Sequence, residues 1–279
     1  MTPTSPAVSV CIPTYRGEAH LAAAIESVLA QGFADLELVV VDDHSPDATQ
    51  SIVASYKDAR IRYLRNDTNL GPQGNWNRAL AEARGRYFKL LPHDDLLAKD
   101  CLAEQVAILD ADREQRVALV FGGREIIDAR GRVLMRRAAF GPRQRTLAGQ
   151  DLIRACVRAG TNLIGEPGNV LLRRELARRI GGFDGTHGYM IDLDYWFRAL
   201  RHGNATYLPQ TLSSFRVSAG SWSVSIGALQ QQEFRNFLAK CAADPAFPRL
   251  SRLDRWRGTG MAILNSKLRG LLYRRVIEK

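Results

Sequence analysis

The chain has 279 residues, 46% of them hydrophobic and 24% charged, with a formal net charge of +10. That length holds one α/β domain with a full core plus an extension, and the composition excludes a disordered or disulfide-stapled chain. No uninterrupted apolar run approaches the ~20 residues that span a bilayer.

Val8-Ser9-Val10-Cys11-Ile12 reads as a strand within 7–12, closed by Pro13-Thr14-Tyr15. Leu21, Ile25, Val28 and Leu29 recur at helical spacing, which predicts a helix near 18–31. Leu36 to Val41 is a second strand, and Asp42-Asp43-His44-Ser45 follows it at once. Strand, helix, strand, each strand ending in polar loop residues, is a βαβ unit with a parallel sheet. Further strands are expected near 61–65, 86–91 and 117–121, and helices near 47–57, 73–84 and 98–111. Strand candidates at 124–128 and 132–135 flank the turn signal Ala129-Arg130-Gly131, and 136–147 reads as a mobile loop. A helix near 149–159, a strand at 169–173 and helices at 174–180 and 193–202 follow. Strands at 205–208 and 212–217 come next, and the pattern from 225 onward is helical, broken at Asp244-Pro245 and Pro248.

The run Tyr87-Phe88-Lys89-Leu90-Leu91-Pro92-His93-Asp94-Asp95 is a strand that ends in a turn bearing two carboxylates. In an open α/β sheet the ligand crevice lies outside the carboxyl ends of the strands. Adjacent aspartates there suit a hard divalent cation, Mn²⁺ or Mg²⁺, that also holds substrate phosphates. The competing reading has Asp94 and Asp95 cap a helix beginning near Ala98. Capping alone also accounts for Asp42 and Asp43, since Ser45 and Asp47 precede a helix as well. Two acidic pairs on one edge of one sheet favour the site.

Val8 to Tyr15, the stretch Val39 to Thr49, Asn69-Leu70-Gly71 and the Leu91 to Asp95 motif occur in order, followed by Gly181-Gly182-Phe183-Asp184 and Asp192-Leu193-Asp194-Tyr195-Trp196. Together they resemble the family 2 glycosyltransferases, inverting enzymes with the GT-A fold, over roughly the first three quarters of the chain. The resemblance implies a Rossmann-like mixed sheet flanked by helices. Residues 1–223 would form the catalytic domain, with a nucleotide-binding half at about 1–122 and an acceptor half at about 123–223. Residues 224–279 would be a helical, basic C-terminal extension. Asp95 would be the direct metal ligand, with Asp94 beside the sugar or its ribose. His93 either joins the metal or fills space. Asp43 would accept the N–H of a uracil ring, flanked by Pro13 and Tyr15. Gly71 would permit close approach, and Asn77 would contact the donor. Asp192 would be the catalytic base, with Asp194 as the fallback.

Three departures from the family pattern stand out. Ile191 replaces the glutamate that usually precedes the base. Trp76 replaces an arginine before Asn77, and Ser218 stands where relatives place a histidine two residues after Arg216. The competing reading makes Asp192 only a helix N-cap, where the helix dipole would lower its pKa and weaken it as a base. The Gln-x-x-Arg-Trp motif of processive synthases is absent, so transfer of a single sugar is expected.

The +10 charge implies an anionic partner: nucleic acid, nucleotide-sugar or acidic lipid. The excess is concentrated late, at Arg136, Arg137, Arg143 and Arg145 and again from Arg249 to Arg275. The tail also carries Trp256, Met261, Ile263, Leu264, Leu268, Leu271, Leu272 and Tyr273. It reads either as a helix for an anionic membrane surface or as a helix packed on its own domain. A nucleic-acid-binding protein leaves the acidic pairs unexplained, because they repel phosphate unless a metal intervenes. A sugar-nucleotide pyrophosphorylase would begin with a glycine- and basic-rich phosphate loop, which Pro13 to Gly17 is not. The expected partners are therefore a nucleotide-diphospho-sugar, UDP-linked, and a glycan or lipid-linked acceptor of cell-surface polysaccharide synthesis. The first residues lack a signal peptide's basic and apolar regions. Cys11, Cys101, Cys156 and Cys241 are dispersed and fit buried, reduced thiols. The expected location is the cytoplasm, with peripheral contact at the inner face of the plasma membrane.

Overall fold

Apolar runs bounded by polar turns become the strands of one mixed sheet, and the amphipathic runs between them cover both of its faces. The computed structural model describes residues 5–218 and 229–277, and for 271–277 the backbone alone. In chain order the elements are β1 (Val8–Thr14), α1 (Leu21–Leu29), β2 (Leu36–Asp42), α2 (Thr49–Ser55), β3 (Ile61–Arg65), α3 (Gly71–Glu82), β4 (Tyr87–Leu90), β5 (Leu96–Leu97) and α4 (Cys101–Ala111). Then come β6 (Val117–Ile127), β7 (Val133–Arg137), β8 (Arg145–Leu147), α5 (Gly149–Ala159), β9 (Val170–Arg173), α6 (Arg174–Arg179), α7 (Ile191–Leu200) and β10 (Asn204–Arg216). Two C-terminal helices, α8 (Gln230–Ala243) and α9 (Arg252–Ile277), complete the described chain.

The sheet runs β3-β2-β1-β4-β9-β6-β10-β5, with β7 beside β6 and β8 beside β10. The first four strands are parallel: Val8 lies opposite both Leu36 and Tyr87. Their carboxyl ends therefore share one edge. Alternation along β1 sends Val10 and Ile12 to a core with Leu21, Ile25 and Val106, and sends Cys11 to the other core with Ala79 and Leu80. Both faces are covered, which is why these strands read as continuous apolar runs. All four cysteines are buried and free, as expected.

Differences from the predicted elements have local causes. The stretches 117–121 and 124–128 are one strand, and 205–208 and 212–217 are one strand across Pro209. A bulge accommodates the proline against β6, with register shifts between Leu208 and Ser213. Gly122 makes room for it, since a Cβ there would stand 2.6 Å from Leu212. The 136–147 segment is anchored rather than loose. Phe140 packs edge-on against Phe121 at 5.8 Å, and β8 pairs with β10. Helix α4 begins at Cys101 with Asp100 at its cap position, so Asp94 and Asp95 do not cap it. Leu96 and Leu97 form an edge strand on β10 that periodicity did not reveal.

The tail helix packs on the domain by one face. Asp254 binds Arg158 at 2.5 Å, and the Asn265 side chain donates to Ala159 O at 2.8 Å. Gly258 lies flush against the carbonyl of Val157, and a Cβ there would collide with that oxygen. The packed-helix alternative therefore holds for this face. Leu271, Leu272 and Tyr273 have side chains outside the described residues. We expect Gly258→Ala to destabilise the protein by about 1–3 kcal/mol, the usual cost of overpacking. Urea unfolding checks this, and a midpoint equal to wild type would mean that α9 does not rest on α5.

Candidate active site

A cleft of about 770 Å³ opens at the carboxyl edge of β1, β2 and β4. It gathers Pro13, Tyr15, Asp43, Gly71, Asp94 and Asp192 from five separate stretches of chain. Asp43, just past β2, is buried and oriented by two donors to one oxygen: Asn66 Nδ2 at 2.5 Å and the Leu70 N–H at 2.8 Å. Tyr15 is 40% exposed, with the Arg16 guanidinium 5.4 Å from its ring centroid. Gly71 opens α3 with φ +72°, a left-handed conformation that other residues adopt only with strain. A ring with a free face beside a fixed carboxylate is suited to a planar heterocycle that carries an N–H.

Asn77 departs from its expected place. Its Oδ1 accepts the Phe183 N–H at 2.6 Å and its Nδ2 donates to Phe183 O at 3.1 Å. Both polar atoms brace α3 against the Gly182-Phe183 segment, and Asn77 does not line the cleft. Asn75 and Trp76 line it instead, and Trp76 also packs edge-on against Phe183 at 5.3 Å.

The second carboxylate pair divides its labour. Asp94 faces the cleft, whereas Asp95 lies beneath it with 1% exposure. Asp95 Oδ1 accepts the Arg216 N–H at 2.9 Å, and Arg216 Nε donates to Asp94 O at 2.8 Å. Burial, and then the neighbouring charge of Asp94, hold the Asp95 carboxyl well above the usual carboxylate range. Two adjacent carboxyls, one of them buried, suit a divalent cation. Among the described residues no cluster of three or more His, Cys, Asp or Glu converges to hold a metal. The protein side of such a site is thus this pair, and the remaining ligands would be donor oxygens and water. His93 also lines the cleft.

Asp192 lines the same cleft from the first turn of α7. Its Oδ1 accepts the Leu193 N–H at 2.6 Å and its Oδ2 accepts from Asn162 Nδ2 at 3.0 Å. Its pKa is pushed up to about 7, first by burial and then by the charge of Glu166. The predicted depression by the helix dipole is overturned, because desolvation beside a second carboxylate outweighs it. A carboxyl that titrates near neutrality exchanges protons where a general base must. Asp194, the fallback, points away from the cleft into ion pairs with Arg198 at 2.8 Å and Lys240 at 2.6 Å.

Sequence reasoning missed the loop that shapes this end. Glu166 faces the cleft and pairs with the buried Arg124 at 2.6 Å. The loop is held from several sides. Asn169 Nδ2 donates to Gly122 O and Ile164 O, both at 2.8 Å, and the fully buried Lys89 donates to Gly168 O at 2.8 Å. The signal was present in the polar residues set among glycine and proline from Asn162 to Asn169. Arg269, counted above as a surface charge of the tail, also reaches the cleft. It donates to Tyr189 Oη and to Thr161 Oγ1, the latter at 3.3 Å.

The description of glycosyl transferase family 2 matches residues 9–181. The chain belongs to this family. It is 30% identical over 256 residues to the Mycobacterium tuberculosis protein "Uncharacterized protein MT1568", a match covering 89% of this chain and 79% of that one. It is 36% identical over 121 residues to the Escherichia coli UDP-Glc:alpha-D-GlcNAc-diphosphoundecaprenol beta-1,3-glucosyltransferase WfgD, covering 43% and 47%. Staphylococcus aureus TarS, solved in complex with UDP-GlcNAc, superposes with a TM-score of 0.68 at 20% identity, covering 92% of this chain and 71% of that one. The family 2 chain is therefore a glycosyltransferase with the GT-A fold and a helical C-terminal part.

Glu166 raises the Asp192 pKa, so Glu166→Gln should shift the Asp192 titration to lower pH. Infrared or carbon-detected NMR titration of the side chain checks this. An unchanged or raised midpoint would mean that Glu166 does not govern this carboxyl.

Proposed function

We propose that the protein is a metal-dependent, inverting glycosyltransferase. It moves one sugar from a UDP-linked donor to a hydroxyl of a glycan or lipid-linked acceptor in cell-surface polysaccharide synthesis. The observation that carries this reading is that one cleft gathers Tyr15, Asp43, Asp94 and Asp192, with Asp95 buried beside Asp94. Those groups suit the base, the diphosphate and the acceptor hydroxyl of a nucleotide-sugar reaction. The WfgD name, with its UDP-glucose donor and lipid-diphosphate acceptor, and the TarS complex with UDP-GlcNAc support the same class. The donor half corresponds to about 1–122 and the acceptor half to about 123–223. The extension from 224 lends Arg269 to the cleft.

Asp43 accepts an N–H from the uracil while Tyr15 and Pro13 flank the ring. Asp95 and Asp94 would hold a divalent cation, which when bound would supply Lewis-acid neutralisation of the departing diphosphate. Asp192 takes the proton from the acceptor hydroxyl as its oxygen attacks the anomeric carbon from the face opposite the diphosphate. One base and one displacement invert the anomeric centre. The Asn162 amide holds the carboxylate of Asp192 toward the cleft.

The experiment is a thermal-shift and turnover series with nucleotide-sugars. UDP or a UDP-sugar should stabilise the protein only when Mn²⁺ or Mg²⁺ is present, and Asp95→Ala should abolish the effect. Asp192→Asn should still bind donor yet transfer ~10²–10⁴-fold more slowly, the scale of lost general base catalysis. Equal stabilisation in chelator, or near-normal turnover by Asp192→Asn, would sink the assignment.

Location follows from the outer face of α9. Opposite the packed face, Trp256 is 78% exposed, Leu253 68% and Leu268 56%, alongside Arg252, Arg257 and Lys267. The one acidic residue of this helix, Asp254, is turned inward to Arg158. Apolar side chains among cations complement an anionic lipid surface, at about 1 kcal/mol per Lys or Arg near the headgroups. Among the described residues no helix is long and apolar enough to cross a membrane. Peripheral docking at the inner face of the plasma membrane brings the cleft to a lipid-linked acceptor. Co-sedimentation with phosphatidylglycerol vesicles should show salt-sensitive binding that the double variant Trp256→Glu, Leu264→Glu removes. Absence of binding at low salt, or binding untouched by the variant, overturns the docking.

A further inference from the structure

Three neutral hydrogen-bonding groups line the cleft and take no part in the donor or base chemistry: the hydroxyls of Thr161 and Tyr189 and the side-chain amide of Gln230. Gln230 opens α8 and is only 3% exposed. Its amide nevertheless has no hydrogen-bond partner among the described residues. Buried side-chain amides ordinarily have one. The group offers two donor hydrogens and a carbonyl acceptor to whatever enters the cleft.

Arg269 sets the roles of the two hydroxyls. A guanidinium only donates. Tyr189 Oη and Thr161 Oγ1 are therefore the acceptors of its hydrogen bonds, the latter at 3.3 Å. The guanidinium also stands 5.7 Å from the centroid of the Tyr189 ring. Each hydroxyl keeps its own O–H, and neither proton has an acceptor among the described residues.

The three groups belong with the Asp192 carboxyl. Tyr189 lies in the turn Gly185–Met190, which runs straight into α7 and Asp192. Thr161 precedes Asn162, whose Nδ2 donates to Asp192 Oδ2 at 3.0 Å. Helix α8 is held across the same turn. Lys240 pairs with Asp184 at 2.8 Å, and the Phe237 ring stands edge-on to His187 at 6.5 Å. Two O–H donors and an amide match the ring hydroxyls of a sugar, each of which both donates and accepts.

We propose that Gln230, Tyr189 and Thr161 form the subsite for an acceptor sugar. Ring hydroxyls of the acceptor donate to Gln230 Oε1 and accept the O–H groups of Tyr189 and Thr161, and this presents a further hydroxyl of the same ring to Asp192. The inference rests on the reading of Asp192 as the base and deepens it. The acceptor is a saccharide recognised through its hydroxyls, and part of that recognition comes from the C-terminal extension.

The test is a saturation-transfer NMR titration of the full chain, saturated with UDP and Mn²⁺, with methyl glycosides of glucose, galactose, mannose and N-acetylglucosamine, both anomers of each. The expected result is binding of at least one, weakened about fivefold or more by Gln230→Leu and by Thr161→Val, the scale of one lost neutral hydrogen bond. Gln232→Leu, at an exposed position of the same helix, should change the affinity little. UDP affinity reports on folding in every variant. Should Gln230→Leu lose it, Gln230→Glu, which keeps the shape and loses the donor hydrogens, gives the same reading. No glycoside binding by wild type, or wild-type affinity in the Gln230 and Thr161 variants, overturns the subsite. UDP binding without glycoside binding refutes the subsite alone, and failure of UDP to bind refutes the donor reading whatever the glycosides do.

Discussion

A carboxylate buried at the seam of the molecule is the constraint on which the rest depends. Asp95 has lost water on all sides and sits next to the charge of Asp94. Arg216 meets it from the end of β10, through its own N–H to Asp95 Oδ1 and through Nε to Asp94 O. The same guanidinium reaches Asp128 O at 3.0 Å in the β6–β7 turn. One arginine thereby ties the turn after β4 to β6, β7 and β10.

The Asp192 carboxyl, in the same cleft, is set by neighbours remote in sequence. Glu166 raises its affinity for a proton, and Asn162 fixes one oxygen. The loop bearing both neighbours is itself pinned by Lys89 and Asn169, whose hydrogen bonds run into the core. The Lys89 ammonium is fully buried among carbonyl oxygens, and burial lowers its pKa. Accepting a buried amine is the structural cost of holding that loop still.

The C-terminal helix links these parts to the outside. Close approach at Gly160 and Gly258 presses α9 onto α5, and Arg269 at its far part enters the cleft beside Tyr189. A single helix thus carries a packing face, a cleft residue and an outward face of apolar and basic groups.

What the sequence by itself determined was set by short-range rules. The apolar runs, the βαβ order and the two aspartate pairs at strand ends follow from periodicity and from the carboxyl-edge rule. These place Asp43 and Asp94 on one edge before any coordinates are known, and the resemblance to family 2 adds Pro13, Tyr15, Gly71 and Asp192. What only the tertiary structure decided depended on contacts between distant segments. Asn77 and Asn75 are two residues apart on one helix, and the packing of Phe183 against α3 decides which of them faces the cleft. Helix-dipole reasoning places Asp192 low, and the approach of Glu166 from another loop places it near neutrality. Arg269 looks like any other charge of a basic tail until α9 docks on α5. Gln230 joins Tyr189 and Thr161 in one cleft only through the packing of α8. Local chemistry is written residue by residue, whereas desolvation and charge proximity fall off with distance in space and are indifferent to distance along the chain.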